Sequence, residues 1–216
     1  RILSSAGWVE TMRMCRQEND PVNRTAGQMS FTEAISVLDC KPEKLGHDRT
    51  IVFYNDSPKF HWQKCEELND FRTGVICSPN NFLYGEFPEA EKRDYLPDGI
   101  IRITSIANFD RWNELSDDQY QLEKLRSYER ANESAIRFMP DFRSHVIDTD
   151  TFTPTTIRRF TWHDNGAVYG APKKQFDGTT HLQNLFVCGT DQGFVGIIGT
   201  IISGISMANQ HCLREA

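Results

Sequence analysis

Between residues 29 and 112 the apolar positions come in short runs, 31–38, 50–54, 73–77 and 100–106, separated by polar stretches. Runs of that length bounded by Pro, Asn and Gly are the pattern of strands, and Pro-Asn-Asn at 79–81 and Pro-Asp-Gly at 97–99 supply the breaks. A mostly antiparallel sheet is the expectation. The spacing then changes. Ser116 followed by Gln119 has the form of a capping box, and Leu122, Leu125, Tyr128, Ala135, Ile136 and Met139 recur at roughly helical spacing until Pro140. This predicts a long amphipathic helix near 117–139, with Glu123, Lys124, Arg126, Glu129 and Arg130 as its solvated face.

The two ends of the chain read differently. Residues 2–4 form a short strand, Ala6 and Gly7 a turn, and Trp8, Met12 and Cys15 can share one face of a following helix; polar residues 16–28 make a connecting loop. A strand-like run at 144–147, a segment at 153–160 and a glycine-bracketed stretch at 166–170 lead to a sharper pattern: a short buried strand at 185–188, a loop at 189–193, and an apolar helix over 196–213 with small residues spaced along it. A strand, a glycine-rich turn and a helix in succession place backbone N–H groups and the positive end of a helix against an anionic or electron-rich ligand. Gly189, Gly193, Gly196 and Gly199 leave no Cβ between backbone and ligand. Asp191 would repel a phosphate but accepts hydrogen bonds from sugar or ribityl hydroxyls. A purely structural account, in which Asp191 caps the helix and the glycines let it lie close to a sheet, fits the spacing equally well.

With 38% hydrophobic and 25% charged residues the chain has the balance of a folded globular protein. Lys plus Arg is 24 and Asp plus Glu is 30, so the net charge is 24 − 30 = −6, and no basic stripe interleaved with aromatics argues for nucleic acid. The cysteines at 15, 40, 65, 77, 188 and 212 form no CxxC pair and no Cys/His cluster at zinc-like spacing, so no metal site is expected. They read as reduced, mostly buried thiols of a cytoplasmic protein, in which the sequons at Asn23, Asn55 and Asn132 carry no weight. The most apolar stretch, 194–208, is shorter than the ~20 residues that cross a bilayer and reads as a buried helix. There is no GxSxG, P-loop or HExxH, and the six His residues show no ligand spacing. His163, between Trp162 and Asp164, could place a proton-transfer group near a pocket, although a lone His beside Trp is more often packed or at the surface. Arg1 is not preceded by Met and runs straight into Ile2 and Leu3, which reads as a cut through a longer protein.

Four stretches carry a resemblance. Asn-Leu-Phe-Val-Cys-Gly at 184–189, followed by a glycine-rich loop and Gly-Thr-Ile-Ile-Ser-Gly at 199–204, resembles the final strand, loop and helix of the phytoene desaturase and carotenoid isomerase group within the amine-oxidase-like flavoproteins. Arg-Ile-Leu-Ser-Ser-Ala-Gly at 1–7 with Thr11 resembles the strand that leaves the FAD domain of that family, and Tyr-Leu-Pro-Asp-Gly-Ile-Ile at 95–101 the start of a strand in its substrate domain. Thr-Pro-Thr-Thr-Ile-Arg-Arg-Phe at 153–160, with Gly-Ala-Val-Tyr-Gly at 166–170, resembles the segment before the final strand. The order is that of the family's carboxyl-terminal half.

The resemblance implies an α+β fold: an antiparallel or mixed-sheet substrate domain over 16–180 with the long helix beside it, flanked by 1–15 and 181–216 as pieces of an incomplete, Rossmann-like FAD-binding domain. The chain ends should then meet in space. It implies FAD as cofactor, with Gly189, Thr190, Asp191, Gly196, Ile197, Ile198 and Gly199 along the isoalloxazine and ribityl chain, and redox chemistry that the cofactor carries while the protein orients substrate. The implied reaction is desaturation, isomerisation or saturation of carbon–carbon double bonds in an apolar, carotenoid- or isoprenoid-like substrate; amine oxidation occurs in the same superfamily, and a non-catalytic apolar-ligand or partner-binding module is the alternative from another class. The implied partners are that substrate and an amino-terminal FAD domain, with peripheral membrane contact compatible and homodimerisation expected if apolar surface of the incomplete domain is left open. Two departures stand out: Ile198 occupies a position where the family often has Pro, and the family's GxGxxG, which binds the ADP part of FAD, is absent, so these residues alone should be inactive.

Overall fold

A computed structural model describes residues 1–17, 24–82 and 98–213. The sequon at Asn23 and the first three residues of the 95–101 motif, with Pro97 of its turn, lie outside the described residues. The chain mixes α and β structure and divides into two compact units: Arg1–Met29 with Thr155–Ala216, and Ser30–Pro154. In this division residues 24–29 and 155–180 fall in the same unit as the chain ends.

The Ser30–Pro154 unit is built on a five-stranded sheet. Its strands are β2 (Ser30–Leu38), β3 (Ile51–Asn55), β4 (Asn69–Cys77), β5 (Gly99–Ala107) and β6 (Val146–Phe152), in the spatial order β3-β4-β5-β2-β6. Every neighbouring pair is antiparallel. Along β2 the buried positions alternate, Ala34, Ser36 and Leu38 facing inward between half-buried neighbours, as a pleated strand requires. β6 begins later and runs further than the 144–147 run suggested, because Arg143–His145 forms a 3-10 turn first. Where β2 meets β6 the register slips between Val37 and Leu38: Val37 faces Asp148 and Leu38 faces Val146.

After the short helix α2 (Phe109–Asn113), α3 (Asp117–Ala135) lies across one face of this sheet, with the capping box of Ser116 and Gln119 formed as expected. Its buried face matches the predicted one in part: Ala135 and Met139 are buried and Tyr128 and Ile136 pack against the core, but Leu122 and Leu125 are exposed, and Ser127, Ala131, Asn132 and Ser134 are buried as well. Small side chains bring the helix axis close to the strands, where its hydroxyls bond across: Asn69 Nδ2 donates to Ser127 Oγ at 2.8 Å and Ser134 Oγ to the Phe71 carbonyl at 2.7 Å. Around them Leu38, Ile76, Ile101, Ile103 and Phe142 form the core.

In the other unit β1 (Ile2–Ser4) and β7 (Leu185–Val187) pair in parallel, Ile2 opposite Leu185 and Ser4 opposite Val187, so the two ends of the chain do meet. Each strand leads through a glycine into a helix: Gly7 into α1 (Trp8–Met14), and Gly189 through a 3-10 turn, Gly189–Gln192, towards α5 (Gly196–Ala208). Trp8 and Met12 of α1 pack on Leu185 and Val187; Cys15 falls beyond the helix and is exposed. The 153–160 segment is largely helical, as α4 (Pro154–Thr161).

Two expectations are corrected here. The 194–208 stretch is not a buried helix: only Ser203 and Met207 of α5 are buried, while Ile197 is 82% and Ile198 74% exposed. The segment is apolar on all sides, but it lies against its own unit only along the line of Ser203 and Met207. The cysteines are free, yet none is fully buried; Cys15 is exposed and the other five half-buried. No helix among the described residues is long and apolar enough to cross a membrane.

Candidate functional site

The loop from Cys188 to the start of α5 carries Gly189, Thr190, Asp191, Gly196, Ile197, Ile198 and Gly199, with Gly189 and Asp191 buried and Gly196, Ile197 and Ile198 exposed, and they do different work. Gly189 and Gly196 have φ values of 85° and 76°, a left-handed backbone that other residues rarely adopt, and a Cβ built on either would meet nothing within 4 Å. Their backbone is open on the side where a side chain would stand. Gly193 and Gly199 are not open: a Cβ on Gly193 would lie 2.8 Å from the Phe176 ring, and one on Gly199 3.3 Å from Phe194.

Asp191 is 2% exposed, and both its carboxylate oxygens are engaged by backbone. Oδ2 accepts the N–H of Trp8, the first residue of α1, and Oδ1 accepts the N–H of Ala171. It therefore caps a helix, though α1 and not α5, with its charge at the positive helix end. Gly170 makes the approach possible, since a Cβ there would sit 1.9 Å from Oδ1. The role of hydroxyl acceptor for a cofactor does not fit a carboxylate held in this way.

Below the loop, Ser203 Oγ accepts the Gly189 N–H at 2.6 Å and itself donates to Gln192 Oε1, while Gln192 Nε2 donates to the Phe176 carbonyl at 2.8 Å. These buried bonds tie the turn to the middle of α5 and hold the Gly189 conformation. Sequence reasoning passed over Ser203 and Gln192; Ser203 is one of three hydroxyl residues of an otherwise apolar helix, with Thr200 and Ser206, and spacing alone did not single it out.

At the amino end of α5 the N-cap residue is Val195, which brings no side-chain acceptor to the first-turn N–H groups. Beside that end stand the exposed side chains of Ile197, Ile198 and Ile201. The site thus combines open side-chain positions at Gly189, whose own N–H is already bonded to Ser203, and at Gly196, a helix end without a side-chain cap, and apolar side chains. That combination fits a flat, largely apolar group with an electron-rich edge, and a flavin ring is of this kind.

His163 belongs to the same unit. Its Nδ1 lies 3.4 Å from Glu10 Oε1, which also accepts the Asp164 N–H at 2.9 Å, and Arg13 pairs with the Asp164 carboxylate. The 162–166 segment is thereby fastened to α1, a structural use of His163.

In the Ser30–Pro154 unit a cleft of about 730 Å³ is lined by Cys65, Asp70, Phe71, Arg72, Arg130 and Arg137 among others. Its arginines are engaged: Arg72 pairs with Asp70 of the same lining, Arg137 with Asp56, and the Arg130 guanidinium lies 4.8 Å above the Phe71 ring. Burial pushes the Cys65 thiol up to about 11, so it stays protonated and weakly nucleophilic at neutral pH. A cleft walled by ion pairs is a poor receptacle for an apolar chain. No protein-family model matches the chain, and no curated protein matches it.

Proposed function

We propose that these residues are the carboxyl-terminal part of an FAD-dependent oxidoreductase acting on carbon–carbon double bonds of an apolar, isoprenoid-like substrate. The observation that carries the reading is the open, left-handed backbone at Gly189 and Gly196 on either side of the turn between β7 and α5. Their side-chain positions are empty, and the first turn of α5 presents N–H groups to the same surface. The resemblance of 184–189 and 199–204 to the closing segment of the phytoene desaturase group names the ligand class that suits such a surface.

In this reading Gly189 and Gly196 let the flavin ring lie against main chain, α5 stabilises negative charge at the ring's edge, and Ile197 and Ile198 exclude water. Asp191 acts one layer back, holding the turn to α1. The flavin supplies the hydride or electron-pair transfer, and the chain orients and desolvates it. In the family that the chain resembles, a GxGxxG segment binds the ADP part of FAD, and these residues do not contain one.

The test is the visible spectrum of the protein expressed from its complete gene and purified with FAD added. Flavin absorption in the parent, with the ring bands shifted or lost in Gly189→Val and Gly196→Val, is the expected result. A parent that takes up no flavin would remove the oxidoreductase reading and favour an apolar-ligand module.

A further inference from the structure

The end of β2 and the turn before β6 bring together three side chains that no sequence motif links. Asp39 and Cys40 follow directly on β2, and His145 precedes β6. One oxygen of Asp39, the Cys40 sulfur and one ring nitrogen of His145 all lie within 4.8 Å of one another. Donors bound to a single zinc ion at about 2.0–2.3 Å stand roughly 3–4 Å apart, so this set closes on an ion by side-chain rotation alone.

The backbone beneath is braced. The Asp39 N–H donates to the His145 carbonyl at 2.9 Å, and the His145 N–H to the Phe142 carbonyl at 2.9 Å. Leu38 and Phe142, on the two sides of the cluster, are each fully buried in the core. From the third side β5 closes in: a Cβ on Gly99 would sit 2.0 Å from the Cys40 carbonyl oxygen. The register slip between Val37 and Leu38 falls at the same place, and such irregularities re-aim side chains at the ends of paired strands. The donors thus project from three anchored points at the rim of the sheet, half-buried or exposed and reachable from solvent.

We propose that Asp39, Cys40 and His145 form a binding site for a divalent transition-metal ion of the zinc type. The chemistry of the set selects the ion: a thiolate and an imidazole favour borderline ions such as Zn²⁺ over Mg²⁺ or Ca²⁺, which prefer all-oxygen shells. Three protein donors leave a fourth tetrahedral position for water or an exogenous ligand. The Asp39–His145 hydrogen bond of 2.9 Å pre-positions two of the donors and is exchanged for coordination on binding.

The test uses Co²⁺ as a spectroscopic stand-in, added to this chain after treatment with a chelator. A thiolate-to-cobalt absorption band in the near ultraviolet is expected, saturating at one equivalent and displaced by Zn²⁺. It should vanish in Cys40→Ser, persist in Cys15→Ser, and in His145→Asn require at least the ~10–100-fold higher metal that loss of even a supporting residue costs. Asp39→Asn, an exposed position, gives a second measure should Cys40→Ser disturb folding; its metal affinity should also fall at least tenfold, again by the scale of supporting residues. Absence of the band, its survival in Cys40→Ser, or an unchanged affinity in both His145→Asn and Asp39→Asn overturns the proposal.

Discussion

At the scale of single residues, Glu10 and His163 carry a consequence for pH. Burial works against the Glu10 carboxylate, but hydrogen bonds from His163 and from the Asp164 N–H outweigh it, so Glu10 titrates below its ordinary 4.5. The bond to Glu10 holds His163 above its ordinary 6.5 despite the cost of burial. The Glu10 contribution is present above pH 4.5 and is lost as pH falls through the lowered value; that of His163 is present below pH 6.5 and is lost as pH rises through the raised one. The pair therefore stabilises most between the two. With side chains 21% and 16% exposed, the effect should be under about 1 kcal/mol. Urea unfolding midpoints measured from about pH 6 to about pH 9 should fall more steeply in the parent than in His163→Gln; equal slopes would show that the contact carries no charge. Asp191 teaches a related lesson. Its type and its place after a strand were legible, but whether it faces a ligand or a helix depended on Trp8 and Ala171, which lie 183 and 20 residues away.

At the scale of elements, strands were read more easily than helix faces. The runs 31–38, 50–54, 73–77 and 100–106 each fall largely within an observed strand, because a strand declares itself by length, β-branched content and turn residues at its ends. Helix α3 was found by its cap and spacing, and Tyr128, Ala135, Ile136 and Met139 do face the core, but Leu122 and Leu125 do not, since a helix that packs closely uses Ser and Ala where periodicity looks for Leu. Helix α5 posed the opposite problem, being apolar all round, so that its pattern named no face. Met207 is 1% exposed and Ile198 is 74% exposed, and their substitution should separate accordingly. Met207→Ala is expected to cost about 2–5 kcal/mol in urea unfolding of this chain. Ile198→Lys should stay within about 0.5 kcal/mol, as for other surface changes. A large loss at Ile198 would mean that the outer face of α5 is covered in solution, for instance by a second copy of the chain.

At the scale of the whole molecule, the Ser30–Pro154 unit is continuous in sequence, whereas the other unit is assembled from both chain ends. The continuous unit owns its sheet, helix α3 and an apolar core drawn entirely from its own residues. Residues 30–154 expressed alone should give the far-ultraviolet circular dichroism of a mixed α and β protein and a cooperative thermal transition; a featureless melt would mean that the unit depends on the chain ends. By itself the sequence determined the strands, the capped helix and the glycine turns, because local spacing, β-branched runs and turn residues act over a few positions. Only the tertiary structure decided which glycines stay open, which face of each helix is buried, what Asp191 caps, and that Asp39 and Cys40 stand beside His145. Those are relations between residues as much as 183 positions apart, set by strand pairing and core packing, and no local pattern encodes them.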